Sequence, residues 1–252
     1  MKAIDIVNKA REKGRATGCD YINNIFADFI ELHGDKSYSD DEAIITGIGQ
    51  LNGVPVTVIA IEKGQTTEEK IRRNFGSAHP EGYKKALRQM KLAEKFKRPV
   101  VCFVDTAGAY CGIGAEERGQ GYAIANNLME MMTLDTPVLS ILIGEGGSGG
   151  ALALSVADEV WMMENAIYSV ISPEGCASIL WKDTAKVGEA AECLKITATH
   201  LKKLNIIEKI IKEPTDFSKV YANLRGEIAD FIGRYKDEKE LLKKRYERFR
   251  RI

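Results

Sequence analysis

Residues 100–110 read VVCFVDTAGAY, and residues 138–154 read VLSILIGEGGSGGALAL. Each begins as an unbroken apolar run rich in β-branched residues, which predicts a strand buried on both faces: Val100 to Asp105 in the first, Val138 to Ile143 in the second. Each then breaks into glycine, at Thr106-Ala107-Gly108 and at the GEGGSGG run of 144–150, before helical spacing resumes from Glu116 to about Met132 and from Ala151 to Val156. Pro99 and Pro137 stand immediately before the two strands. Strand, glycine turn and helix thus occur twice, about 38 residues apart, and the fold class is α/β.

Outward from this repeat the remaining elements follow. Residues 43–50 and 54–62 are two β-branched runs separated by Leu51-Asn52-Gly53, where Asn-Gly favours the positive φ of a tight hairpin. Pro80 opens a helix with apolar residues at Tyr83, Ala86, Leu87, Met90, Ala93 and Phe96, and Pro99 closes it. Extended runs at 160–163 and 167–171 precede Ser172-Pro173, an N-cap followed by proline at the first helical position. Residues 1–33 read as helical, with Ile22, Ile25, Phe26, Phe29 and Ile30 on one face. Val220, Leu224, Ile228, Phe231 and Tyr235 keep helical spacing in the tail. The expected division is an N-terminal helical segment (1–34), a central domain (35–215) and a C-terminal helical tail (216–252). The stretch from Arg234 to Arg251 holds nine basic against four acidic residues and reads as a solvated helix face or a partner-docking surface.

The chain has 252 residues, 44% hydrophobic and 29% charged, enough for a core that needs no disulfide or metal. Lys plus Arg and Asp plus Glu both count 36, so the global field of a nucleic-acid-coating protein is missing. Five scattered cysteines form no CxxC pair, and the three histidines are isolated, which argues for a reducing compartment and against a metal site. No apolar signal core and no stretch of about 18 apolar residues occurs, so a cytoplasmic location away from membranes is expected.

A glycine run between a buried strand and a helix exposes backbone amides, and an anion is expected there. A P-loop fails because Ala151-Leu152 stand where Lys-Ser/Thr must follow. A dinucleotide fingerprint is met by Gly144, Gly146 and Gly149, with Glu164 as the distal acid, but the motif lies mid-chain before a short helix. A hydrolase elbow is met by the GxSxG at 146–150, with Asp183 and His200 following Ser148 in triad order, though His200 sits in a Leu/Lys-rich helical stretch. The fourth chemistry is an oxyanion hole with no protein nucleophile, built from amides of both turns. It alone uses both turns, and it leaves the proton chemistry to the substrate or a cofactor.

Four long motifs, EKIRRNFGSAHPEGYKKALRQM at 69–90, DTAGAYCGIGAEERGQ at 105–120, GEGGSGGALAL at 144–154 and YSVISPEGCASILWK at 168–182, closely resemble the α subunits of bacterial acetyl-CoA carboxylase carboxyltransferases. The similarity spans roughly residues 20–214. It implies a crotonase-like fold, a spiral of ββα units, with flanking N- and C-terminal helices used in assembly. It also implies transfer of a carboxyl group from carboxybiotin, held on a separate biotin carboxyl carrier protein, to acetyl-CoA, giving malonyl-CoA for fatty acid synthesis within an ATP-dependent complex that includes biotin carboxylase. A homologous β subunit would supply most of the thioester site and carry zinc, with an α2β2 core, so that α alone is nearly inactive.

By the resemblance, the catalytic groups are backbone amides of Gly149 and Gly150 on one side and of Gly108 and Ala109 on the other. Gly147, Ser148, Tyr110 and Gly112 would line the substrate site, with Arg72 and Arg73 meeting substrate or the β subunit unless they form a solvated basic face. Glu116, Glu117 and Arg118 are read either as loop-positioning or subunit contacts or as a charged first turn. The family usually has proline where this chain has Ala107 and Cys111, so the first turn lacks two φ-fixing rings. The chain also starts late relative to many members. A serine hydrolase using Ser148, Asp183 and His200, and a non-catalytic scaffold copy, are the alternatives.

Overall fold

The computed structural model describes residues 1–251. After two short helices, α1 (Ala3–Ala10) and α2 (Gly18–Ile25), the chain enters the sheet as β1 (Ala27–Glu31), β2 (Ile44–Leu51) and β3 (Val54–Ile61). β2 and β3 form the expected antiparallel hairpin, paired from Ile44↔Ile61 to Leu51↔Val54, and Asn52 and Gly53 both take positive φ at its tip (+51° and +81°). Helices α3 (Thr67–Arg72) and α4 (Pro80–Lys95) lead to β4 (Val100–Thr106), and α5 (Ile113–Glu117) and α6 (Gln120–Thr133) lead to β5 (Val138–Gly147). Next come α7 (Ser148–Leu152), β6 (Glu159–Met163), β7 (Ile167–Ser169), α8 (Pro173–Leu180), α9 (Val187–Leu194), α10 (Ala198–Lys203) and β8 (Lys209–Ile211). Helices α11 (Ser218–Tyr235) and α12 (Leu241–Arg250) complete the described chain.

The sheet runs β1-β2-β3-β4-β5-β6-β8, antiparallel through β3 and parallel beyond it. Every residue of β4 is buried, and all but the last of β5, which is the signature of a strand covered on both faces. α4 covers one face with Tyr83, Ala86, Met90 and Ala93. Across the sheet, Tyr21 of α2 stacks on Phe103 of β4 at 5.2 Å between ring centroids.

Three expectations are corrected. The helix drawn through residue 33 stops at Ile25, and β1 follows. Gly47 and Gly49 of β2 leave bare backbone that the rings of Phe29 and Phe26 cover; a β-carbon on Gly47 would lie 2.4 Å from the Phe29 ring. That packing holds the segment extended against a propensity that reads as helical. The helix expected from Glu116 to about Met132 is instead α5 and α6, separated at Gly119, whose φ is +82°. The tail is only in part the solvated face expected: Lys236, Lys239, Lys243, Lys244, Arg250 and Arg251 are exposed, whereas Arg245 is fully buried and Arg234 and Arg248 pair with Glu159 and Glu208.

Candidate active site

The two glycine turns leave the carboxyl ends of the adjacent parallel strands β4 and β5. Pairing proceeds evenly from Val100↔Val138 to Val104↔Leu142 and then jumps to Thr106↔Gly146, so that β5 spends four residues where β4 spends two. The cause is the Asp105 side chain. Its Oδ1 accepts the Glu145 amide at 2.7 Å, and its carboxylate fills the space over Gly144, where a β-carbon would lie 2.4 Å away. Lys63, just beyond β3, reaches Asp105 Oδ1 at 2.7 Å and Glu145 Oε1 at 2.9 Å, and Arg11 Nε holds the second Glu145 oxygen at 2.7 Å. Burial would push the Glu145 carboxyl up, but Lys63 and Arg11 outweigh it and hold the group below the ordinary carboxylate range. Burial likewise opposes the Lys63 charge, and its two carboxylates outweigh it.

Beyond this bulge the turns press on each other. A β-carbon on Gly147 would fall 2.0 Å from Ala107 O, and one on Gly150 would fall 2.5 Å from Ala109 N, so both sites require glycine for close backbone approach. Between them lies a narrow cleft of about 50 Å³ touched by Ala107, Gly147 and Ser148. Ser148 adopts φ +51°, a left-handed conformation that costs a non-glycine residue about 1 kcal/mol, at the bend where β5 turns into α7. Among the described residues, the amides of Ala109, Gly149 and Gly150 donate to no protein acceptor. An apolar cavity of about 370 Å³ opens beside Gly149, walled by Leu152, Tyr168, Val170, Leu201 and Phe249.

The expected site residues are therefore only partly brought together. Gly108 is corrected: its N–H donates to Thr106 Oγ1 at 3.1 Å, and its carbonyl accepts from the same hydroxyl at 2.8 Å, so its amide is engaged locally. Tyr110 pins the first turn, its ring stacked on His79 at 4.2 Å and its N–H on Ala78 O. Gly112 lies under that ring. Arg72 pairs with the Glu42 carboxylate and Arg73 with the Glu42 carbonyl, away from the residues that line the cleft and the cavity. Arg118 holds the buried Glu81 at 2.8 Å, which ties the first turn's helix to α4. Lys63, Asp105 and Glu145 escaped the sequence reading, although Asp105 and Glu145 stand inside the two glycine motifs.

The triad reading fails on geometry. His200 Nδ1 pairs with Thr197 Oγ1 at 3.1 Å, and Asp183 caps its own turn through Ala185 N at 2.9 Å. The dinucleotide reading fails as well, because α7 has five residues and Glu164 pairs with Lys212. Among the described residues no cluster of three His, Cys, Asp or Glu side chains could hold a metal, and no helix is long and apolar enough to cross a membrane.

The whole chain, residues 1–252, matches the family described as acetyl co-enzyme A carboxylase carboxyltransferase-like. It is 64% identical over 255 residues to the acetyl-coenzyme A carboxylase carboxyl transferase subunit alpha of Ruminiclostridium cellulolyticum, covering 100% of this chain and 98% of that one. The subunit of the same name from Streptococcus thermophilus is 56% identical over 249 residues, with 98% and 97% covered. Among solved structures, transcarboxylase 12S superimposes with a TM-score of 0.74 at 19% identity, and the geranyl-CoA carboxylase beta subunit of P. aeruginosa with 0.69 at 15%. Each covers 92% of this chain, which spans 45% of either of those longer chains. These likenesses establish the crotonase-like fold.

Proposed function

The chain belongs to the family of acetyl-CoA carboxylase carboxyltransferase α subunits, and from that membership we infer that its two glycine turns form the oxyanion site of carboxyl transfer. It is a transferase subunit that acts in moving a carboxyl group from carboxybiotin to acetyl-CoA, giving malonyl-CoA for fatty acid synthesis. The observation that carries the site assignment is the unpartnered state of the Ala109, Gly149 and Gly150 amides where the two turns meet.

These residues fit carboxybiotin. Three amides without protein acceptors offer a donor set for a developing anion, and the apolar cavity that Gly149 lines suits a fused ring with an aliphatic arm. When bound, carboxybiotin supplies the carboxyl group and the base, which agrees with the lack of a triad. The chain's own residues have a simpler task. Gly149, Gly150 and Ala109 donate N–H bonds to oxygen as it gains charge, each worth about 3 kcal/mol of barrier in such sites. Gly147 and Ser148 shape the bend, and Tyr110 and Gly112 hold the first turn. Gly108 joins the donors only if Thr106 releases it.

The same reading takes residues 35–215 as the body of the carboxyltransferase domain, with 1–34 adding β1 to its sheet and α2 to its core and with α11 of 216–252 packed on that same core. The partners are the β subunit in an α2β2 core, with zinc on β, the biotin carboxyl carrier protein and biotin carboxylase, in the cytoplasm. Purified α mixed with β is expected to move carboxyl from malonyl-CoA to biocytin, whereas α alone does not. Exchange by α alone would contradict a shared site, and a folded αβ complex without exchange would support the scaffold alternative.

A further inference from the structure

Residues 143–145 of β5 stand opposite the single residue Asp105 of β4, because pairing passes from Val104↔Leu142 directly to Thr106↔Gly146. Continued evenly, the ladder would set Thr106 against Gly144 and Ala109 against Gly147. Gly149 and Gly150 would then lie two residues, about 7 Å, past the first turn. The observed shift sets Gly147 against Ala107 instead, and a β-carbon on Gly147 would fall 2.0 Å from Ala107 O and one on Gly150 2.5 Å from Ala109 N. The two turns therefore meet because the sheet slips by two residues just before them.

Three residues cannot all bond to one, and side chains take backbone groups of two of them. Asp105 Oδ1 accepts the Glu145 N–H at 2.7 Å, and Arg15 Nε donates to Ile143 O at 2.7 Å. Between them Gly144 has no side chain, and the Asp105 carboxylate occupies that space. Lys63 Nζ lies 2.7 Å from the same Asp105 oxygen and 2.9 Å from Glu145 Oε1, so it ties the β4 side of the bulge to the β5 side. On its other edge β5 changes neighbour at the same place, from β6 at Leu142↔Met162 to β7 at Glu145↔Ile167. Asp105 and Glu145 are both buried. Buried ion pairs add little net stability over apolar residues of the same size, and their best-attested use is to specify register.

We propose that Asp105, held by Lys63, is a positioning residue for the oxyanion site: its carboxylate captures the Glu145 amide, fixes the two-residue slip between β4 and β5, and so sets Gly149 and Gly150 beside Ala109. Asp105 acts through the backbone of β5, and no proton moves. The proposal rests on the glycine-turn reading of the site.

The test is Asp105→Ala in the αβ complex, beside the double variant Asp105→Asn/Lys63→Met, which keeps an oxygen for the Glu145 N–H and buries no unpaired charge at either position. Exchange kinetics are measured well below each Tm, and crystal structures of the variants report the register. Asp105→Ala is expected to lower kcat about 100-fold, with KM for malonyl-CoA unchanged and the Thr106↔Gly146 pair lost. The double variant is expected to keep that pair and to recover kcat to within about tenfold of wild type. Wild-type kcat in Asp105→Ala overturns the proposal, and so does a loss of kcat with the register intact. Should Asp105→Ala fail to fold, the double variant decides: recovered kcat with the pair kept upholds the proposal, and low kcat with the pair kept overturns it. Exchange retained without the pair overturns it in any variant. Gly150→Ala tests the site itself. If it keeps full exchange, the oxyanion reading fails; if it is inactive while Asp105→Ala is normal, only the role of Asp105 falls.

Discussion

Gly149 and Gly150 are neighbours with the same side chain and the same expected role, yet the space around them differs. The nearest atom to a β-carbon on Gly149 would be Ile124 Cγ2 at 3.4 Å, ordinary contact, whereas on Gly150 it is the Ala109 nitrogen at 2.5 Å. Gly150→Ala must push the first turn out of line and is expected to cut exchange by about 10²- to 10³-fold, the cost of a misplaced oxyanion donor. Gly149→Ala should stay within severalfold of wild type in the same assay; equal losses in the two variants would refute the packing argument. At this scale the glycine-rich motifs were legible, because a run such as 144–150 has few uses other than exposing amides. Which amides stay free was not, since Thr106 and Gly108 read alike whether or not they bond to each other.

Among the elements, α12 shows where a composition reading stops: most of its basic residues are exposed as expected, and one is interior. Nine basic against four acidic residues at 234–251 suggested a wetted surface. Arg245 instead grips Asp158 through two bonds of 2.8 Å and donates to the carbonyls of Met131, Leu134 and Thr136, joining α12 to the end of α6 and the turn before β6. Removing one partner of such a buried pair leaves the other uncompensated. Arg245→Ala is expected to lower unfolding free energy by about 3–5 kcal/mol in urea titration; a loss well under 1 kcal/mol would return α12 to the status of a solvated helix. The helices with a clear apolar stripe were read well. Val220, Leu224, Ile228 and Phe231 of α11 are buried as their spacing predicts. β1 was misread because its extended form depends on two glycines of β2, about twenty residues away, that no local window can see.

Across the whole molecule, the cluster of Arg11, Lys63, Asp105, Glu145 and Glu174 joins α1, the end of β3, the ends of β4 and β5, and α8. Its titration sets a stability plateau. Glu145 is held below its ordinary value of 4.5, so its contribution is present above that pH and is lost as pH falls through the lower folded value. Lys63 is held above its ordinary 10.5, so its contribution is present below that pH and is lost as pH rises through the higher folded value. The urea midpoint is expected to show no cluster-dependent change from about pH 5 to 10 and to fall on the acid side. Lys63→Met should lower the plateau by about 3 kcal/mol, and a variant matching wild type at neutral pH would show the cluster to be dispensable. The sequence by itself determined the α/β class, the hairpin, the repeated strand-turn-helix and the family, because periodicity, turn chemistry and long motifs are local properties of the chain. Only the tertiary structure decided which glycines must be glycine, which amides remain free and which charges are interior, because each depends on a backbone or side chain brought close from elsewhere in the sequence.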